Sequence, residues 1–384
     1  MFQRLAAARL LELARRFPAV VIVGARQVGK TTLARAAFPG RAYVDLEDPR
    51  TAARFRDDPR FALDALPDGA ILDEAQAVPE VFAALRGAID AERRRAGRYI
   101  VLGSAQPALL RSIGESLSGR AALVELDPLA ACEAESGERP PGWRALWLKG
   151  GFPDALGGEF REWWEAYLRT LLERDLVQYG VSADPLFARR LLTMLAHQHG
   201  GLFNASVLGA SLGVSYHSVQ RHVDVLESVF LVRRLRPYFR NVGKRLTKAP
   251  KVFLRDTGLL HHLLNIGTLD ELDVHPARGA SWEGFVAEDI LRRERVARPA
   301  SQAWFWRTQA GAEIDLLLDR GETRVAVEIK AGRAGAPRGL RSLRDAMPDV
   351  QAARAWIVDE AAGSELLAPG IARVGFAEII HGTP

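Results

Sequence analysis

The sequence predicts an α/β protein: a parallel sheet carrying a phosphate-binding loop, then a basic, mostly helical segment, then a smaller α/β domain. Three observations carry that reading. The apolar run Val20-Val21-Ile22-Val23 ends in Gly24-Ala25-Arg26-Gln27-Val28-Gly29-Lys30-Thr31 and leads into a helical stretch beginning Thr32-Leu33. Further apolar runs end in carboxylates or hydroxyls and alternate with helical segments, as parallel sheets with crossover helices require. Between residues 221 and 255, ten basic residues stand against only Asp224 and Glu227, a net of +8 in a chain of net +5.

The first run has the spacing G-x-x-x-x-G-K-T between a strand and a helix. Gly24 and Gly29 let the backbone close around a phosphate with its N–H groups inward, through Ala25, Arg26, Gln27 and Val28. The helix that follows, with Thr32 in its first turn, adds the positive end of its dipole. Lys30 is placed to reach the β and γ phosphates, and the Thr31 hydroxyl to ligate Mg²⁺. A glycine-rich turn without a ligand would not need lysine and threonine in this register. The loop therefore predicts that the chain binds ATP with Mg²⁺.

The following elements fit the same site. Residues 41–47 read as a second strand, and residues 69–76 as a third that ends in Asp73-Glu74. ATP hydrolysis needs one acid beside the metal and another to orient or deprotonate water, roles that suit Asp73 and Glu74 in turn. Residues 98–104 form another apolar strand, ending in Ser104. Ser104 or Gln106 could sense the γ-phosphate or hold the water; the other reading is an ordinary strand-ending turn. Loop, acids and hydroxyl all fall at strand C-termini, where ligands of such sheets sit.

Length and composition set the frame. A chain of 384 residues predicts two or three domains, and 48% hydrophobic with 26% charged residues is ordinary for a globular protein. The single cysteine, Cys132, excludes an intramolecular disulfide and a cysteine-based zinc site, which fits the cytoplasm. No apolar stretch is long enough to span a bilayer, so no membrane association is expected. The first residues lack a signal-peptide layout and read as an amphipathic helix through residue 16.

The loop, Tyr43-Val44-Asp45-Leu46-Glu47-Asp48-Pro49, Asp73-Glu74-Ala75-Gln76-Ala77-Val78-Pro79-Glu80 and Gly103-Ser104-Ala105-Gln106 together resemble the AAA-type ATPase domain of a widespread prokaryotic family. Where that family has Gly-Ser-Ser, this chain reads Gly103-Ser104-Ala105. Ser116-Leu117-Ser118-Gly119-Arg120 also matches, and the resemblance nominates Arg120 as an arginine finger, acting in cis or from a neighbouring copy; a solvated arginine at a strand start is the other reading. The family follows its ATPase with a region of unknown function related to restriction-type nucleases. On this reading residues 1–130 form the AAA-type P-loop ATPase domain.

Residues 131–184 read as a helical connector packed on the ATPase, with Trp163, Trp164, Tyr167 and Leu171 on its apolar side. Residues 185–274 change character. Helices at 187–199, 205–212 and 215–228, a stop at Gly213 and strands at 230–235 and 251–255 suggest a winged helix-turn-helix. Ser215 would cap the third helix, whose outer face would present Tyr216, His217, Gln220 and Arg221 to a DNA groove. Arg240, Lys244 and Arg245 would form a phosphate-contacting wing. A winged helix used as a protein-interaction module is the competing reading.

Residues 275–384 carry a second constellation. A helix at 280–294 holds Glu283, a first strand follows at 303–307, a strand at 311–318 holds Asp315, and a strand at 325–330 holds Glu328 and Lys330 on one face. Two carboxylates for Mg²⁺ or Mn²⁺ with an ammonium beside the water are what metal-assisted phosphodiester cleavage needs. The helix-strand-strand-strand order with these residues resembles the PD-(D/E)XK nuclease superfamily, which implies a restriction-endonuclease-like domain with Glu283 completing the metal site. The function expected is an ATP-hydrolysing protein acting on DNA, with a metal-dependent nuclease-like domain controlled by nucleotide state. The alternatives are an ATP-dependent switch that keeps an inactive nuclease fold for assembly or partner binding, and a remodeller of proteins. Expected partners are ATP, DNA and further copies of the chain in a homo-oligomer.

Overall fold

The computed structural model describes residues 2–104, 107–138, 140–175, 184–239, 247–308, 311–332 and 336–382. They divide into two compact units, one spanning residues 3–129 with 228–230, the other residues 130–227 and 231–384 with the first two. Arg240, Lys244, Arg245 and Gln106 lie outside the described residues.

The first unit is built on a parallel sheet of β1 (Ala19–Gly24), β2 (Ala42–Asp45), β3 (Ala70–Asp73), β4 (Tyr99–Ser104) and β5 (Ala121–Leu126), in the order β2-β3-β4-β1-β5. The central strands β1 and β3 are buried at every position, which is why their sequences are unbroken apolar runs. Edge strand β5 alternates between buried and more exposed residues. One core cluster joins Val21, Leu72 and Val101 of the sheet to Phe55, Phe82, Leu85 and Ile89 of the crossover helices. Helix Pro49–Asp57 begins at Asp48, whose carboxylate accepts from Thr51 N–H, with proline at the first helical position.

The second unit joins the expected connector to everything after it. Helices Trp143–Lys149, Pro153–Gly157 and Phe160–Thr170 belong to this unit and not to that of residues 3–129. Trp164, Tyr167 and Leu171 are buried as their spacing predicts, Trp163 is half-buried, and Trp147 of the preceding helices is fully buried. Trp147 packs edge-on against Trp282 at 5.0 Å and donates to Ser281 Oγ at 2.9 Å. Asp256 caps helix Thr257–Leu263 and also accepts from Gly151 N–H at 2.7 Å, stitching segments about a hundred residues apart.

Three helices follow, Pro185–His197, Ala205–Leu212 and Tyr216–Ser228, with a short antiparallel ribbon of β6 (Val232–Leu235) and β7 (Lys251–Leu254). Asn204 caps the second helix, Gly213 ends it with φ of 70°, and Ser215 accepts from Ser218 N–H at the start of the third. Gly209 is required by close approach, since a Cβ there would lie 2.8 Å from Val214 O.

The unit ends in a mixed six-stranded sheet. Its strands are β8 (Gln302–Arg307), β9 (Glu313–Asp319), β10 (Arg324–Ile329), β11 (Arg354–Asp359), β12 (Ser364–Ala368) and β13 (Ile371–Gly375), in the order β12-β13-β11-β10-β9-β8. The first three run antiparallel, and helix Ala336–Val350 then crosses over to set β11 parallel to β10. Leu343, Ala346 and Val350 of that helix pack on Ile314, Leu317 and Ala326. Helix Arg278–Ala297, longer than the sequence alone suggests, buries Trp282, Phe285, Val286 and Ile290.

Candidate functional site

The phosphate loop follows β1 directly. A Cβ on Gly24 would meet Leu126 O at 2.3 Å, so the strand can end here only in glycine. Gln27 and Gly29 both have positive φ, 57° and 98°, and turn the backbone into helix Lys30–Ala37. Lys30 is buried, and its ammonium donates to the loop's own Gly24 and Ala25 carbonyls at 3.2 and 2.9 Å. Burial draws that ammonium below the ordinary lysine range, against the pull of Glu74 and Asp73. Ala25 and Val28 are buried, Arg26 is half-buried with Glu47 3.9 Å away, and Thr32 is exposed.

Thr31 and Asp73 meet, as the sheet geometry predicts. Thr31 donates its hydroxyl proton to Asp73 Oδ2 at 2.6 Å, which leaves the hydroxyl oxygen free to face a cation. Tyr43 donates to the same oxygen at 2.9 Å, and Glu74 N–H donates to Asp73 Oδ1 at 2.9 Å. Glu74 itself has a left-handed backbone, φ 49°. Burial raises the Glu74 carboxyl above its usual range, while Lys30 and a hydrogen bond from Gln76 oppose the rise. Gln76 Nε2 bridges Glu74 Oε2 and Ser104 Oγ, the latter at 3.3 Å, so Ser104 reaches the acid pair through it.

Arg120 is elsewhere. β1 and β5 pair with Ala19 beside Ala121 and Gly24 beside Leu126, so Arg120 precedes its strand at the N-terminal edge of the sheet. That edge lies roughly 17 Å from the phosphate loop at a strand's rise per residue. Both oxygens of Asp90 hold its guanidinium at 2.8 Å. A cis finger role is thereby corrected; a role from a neighbouring copy is a separate matter. Two contributors had escaped sequence reasoning. Tyr43 shows itself only through the β2–β3 register, and Arg4, just before helix Ala6–Ala14, donates to Val28 O at 2.8 Å.

In the second unit Glu283, Asp315, Glu328 and Lys330 come together, joined by Glu313 and by Lys251, which no local pattern singles out. Lys251 of β7 places its ammonium 2.7 Å from Glu283 Oε1, 2.5 Å from Glu313 Oε1 and 3.3 Å from Asp315 Oδ1. Lys330 stands 2.6 Å from Glu328 Oε1 and 3.6 Å from Asp315 Oδ2, and Ile329 N–H donates to that Asp315 oxygen at 2.8 Å. Burial and the Asp315 charge push Glu283 up to about 7 and Glu328 up to about 8. Burial also opposes the Asp315 charge, but Lys251 and Lys330 outweigh it and hold that carboxyl below its usual range. Among the described residues, no three Asp, Glu, His or Cys side chains are arranged to hold a metal ion.

On the third helix of this unit, Tyr216, His217 and Arg221 are exposed, while Val219, Val223 and Leu226 are buried. Gln220 is engaged with its neighbours, accepting from Arg234 Nη1 at 3.1 Å and donating to Tyr216 OH at 3.0 Å.

The strand order of the first unit, its loop and its acid pair define a P-loop ATPase domain of the AAA type. The family model described as an AAA domain matches residues 16–135. Two models for domains of unknown function, DUF8612 and DUF4143, match residues 141–270 and 278–368. The chain belongs to the same family as an uncharacterised protein of Mycobacterium tuberculosis and its counterpart in Mycobacterium bovis. Each is 41% identical over 362 residues, covering 93% of this chain and 79% of the relative. Among solved structures, a Walker-type ATPase of Pyrococcus abyssi is similar over 69% of this chain and 96% of its own, with 16% identity and a TM-score of 0.47. The RuvB Holliday junction branch migration motor of Thermotoga maritima is similar over 61% and 90%, with 18% identity and a TM-score of 0.33. Among the described residues no helix is long and apolar enough to cross a membrane.

Proposed function

We propose that the chain is a cytoplasmic ATP-hydrolysing switch that acts on DNA, residues 1–130 turning over ATP and residues 185–384 engaging the nucleic acid. The observation that carries the first half is the 2.6 Å bond from Thr31 to Asp73 at the mouth of the glycine cradle. A hydroxyl, a carboxylate and a second acid converge there beside a buried lysine, and that donor set fits ATP with Mg²⁺. Thr31 and Asp73 would hold the Mg²⁺, which when bound offsets phosphate charge. Lys30 would exchange its two loop carbonyls for the β and γ phosphate oxygens, and the loop N–H groups would take the rest. Glu74, held by Gln76, would accept a proton from the attacking water, with Ser104 orienting it. Arg120 would act from a neighbouring copy of a homo-oligomer.

The DNA half rests on the three helices and ribbon, read as a winged helix-turn-helix, with exposed His217 and Arg221 on the third helix. Gln220 would first have to leave Arg234, and Arg240, Lys244 and Arg245 would meet phosphates. In the C-terminal sheet, read as a PD-(D/E)XK-like fold, Asp315, Glu328, Lys330 and Glu283 would form the cleavage site. A second reading keeps that fold for grip or assembly without cutting, and Lys251 standing among its acids favours it. Phosphate release by wild type and Lys30→Ala tests the ATPase, with activity expected only in wild type; equal rates would defeat it. Incubating labelled duplex, single-stranded and branched DNA with Mg²⁺ or Mn²⁺, with Asp315→Ala as control, separates the two readings. Cutting lost in Asp315→Ala supports the nuclease, and intact DNA throughout supports the switch.

A further inference from the structure

We propose that Lys251 takes the place of a divalent cation in the acidic cluster of the C-terminal sheet, so that the cluster is lysine-filled and independent of metal. Two elements supply the acids: Glu283 from helix Arg278–Ala297, and Glu313 and Asp315 from β9. The lysine comes from a third, β7 of the ribbon, and its side chain is only 3% exposed. An ammonium is a compact cation with three donors, and here it has three carboxylate oxygens within 3.3 Å, one from each acid. Those are the oxygens a hard metal ion would need.

The remaining oxygens of Asp315, Glu328 and Glu313 offer no second place. Lys330 occupies Glu328 Oε1 and faces Asp315 Oδ2, which also accepts from Ile329 N–H. Arg307 stands 3.6 Å from Glu313 Oε2. Glu328 Oε2 is buried without a hydrogen-bond partner, and one oxygen does not make a metal site. The residues therefore do not fit a divalent ion while Lys251 is in place. Without it, Glu283, Glu313 and Asp315 would face one another with their neutralising charge gone, and a cation from solvent would replace it. This inference needs neither DNA binding nor ATP hydrolysis to hold.

The test is Mn²⁺ binding to nucleotide-free full-length protein, followed by electron paramagnetic resonance. Wild type should show no Mn²⁺ site that depends on Asp315. Lys251→Ala, and the volume-keeping Lys251→Met, should gain one site at least about tenfold tighter than any wild-type binding. Adding Asp315→Asn to either should remove it. Folded Lys251 variants that gain no site would overturn the proposal, as would a wild-type site lost on Asp315→Asn. If neither lysine variant folds, the comparison of wild type with Asp315→Asn decides alone.

Discussion

Glutamine in place of Glu74 keeps the shape of the side chain and an oxygen for Gln76 Nε2 to meet, but removes the carboxylate that would take the water's proton. The Asp73–Thr31 bond, the Gly24 cradle and the Lys30 contacts do not involve that carboxylate, so ATP binding should survive. Binding should even tighten slightly, because a negative charge beside the phosphates disappears. A positioned general base is worth about 10²–10⁴ in rate, which corresponds to about 2.7–5.4 kcal/mol of barrier. The upper part of that range is expected here, since burial raises the Glu74 carboxyl and makes it a stronger base than an exposed glutamate. The same rise fixes the sign of the pH dependence. Only the deprotonated carboxyl is a base, so wild-type turnover should fall as pH drops through its raised pKa, and the variant should lack that acid limb. Steady-state phosphate release between about pH 5 and pH 9, with binding of a fluorescent ATP analogue in parallel, measures both. A loss below about tenfold, or an acid limb that persists in the variant, would mean that another group activates the water.

Other perturbations test separate parts of the argument. Gly24→Ala forces a Cβ to 2.3 Å from Leu126 O, so the loop must shift and ATP binding should be lost while the far-ultraviolet circular dichroism is kept; normal binding would mean that the cradle is not the site. Arg120→Ala should leave hydrolysis by dilute protein unchanged, because the guanidinium sits on Asp90 at the other sheet edge; a drop that grows with protein concentration would assign it to a neighbour's site. His199 and His261 are held neutral by burial, with pKa lowered to about 3 and about 4. The unfolded chain takes up protons near pH 6.5 that the folded chain refuses, so their stability contribution is present above pH 6.5 and lost as pH falls towards 4. The slope from the pair reaches about 2.7 kcal/mol per pH unit, and His199→Asn, which keeps an acceptor for Leu254 N–H, should halve it in urea melts. An unchanged slope would show that His199 titrates normally.

Much of the first site was legible because its chemistry is local. Gly24, Gly29, Lys30 and Thr31 are fixed by spacing, and Asp73 and Ser104 follow once each ends an apolar strand. For Arg120 the motif match left cis and trans open, although its position before a strand already assigned it to the edge opposite the loop. The boundaries of the connector were illegible for another reason. Trp147 and Trp282 are 135 residues apart in sequence yet pack edge-on at 5.0 Å, and nothing local announces that pairing. Lys251 is the same case. It read as one more cation of a basic ribbon, while its partners lie on a helix and a strand that come later in the chain.

That correction changes what the basic segment can do. The net of +8 counts only the acids inside residues 221–255, whereas the fold brings acids in from outside. Arg233 is held by Glu288, with Arg255 3.7 Å from the same carboxylate. Arg234 is held by Asp224 and Glu227, and Lys251 by three acids. Four of the ten cations are thus held by acids within the protein, so at most six can meet phosphate; Arg236 and Lys248 are exposed among the described residues. Each phosphate contact contributes about −0.9 to the slope of log affinity against log salt on duplex DNA, so this segment supports a slope no steeper than about −5.4. Replacing Arg240, Lys244 and Arg245 together should flatten it by about 2.7. Titration of a labelled duplex at several salt concentrations measures both. A wild-type slope well beyond that bound would place further DNA contacts outside residues 221–255, and a slope unmoved by the triple replacement would remove the wing from the interface.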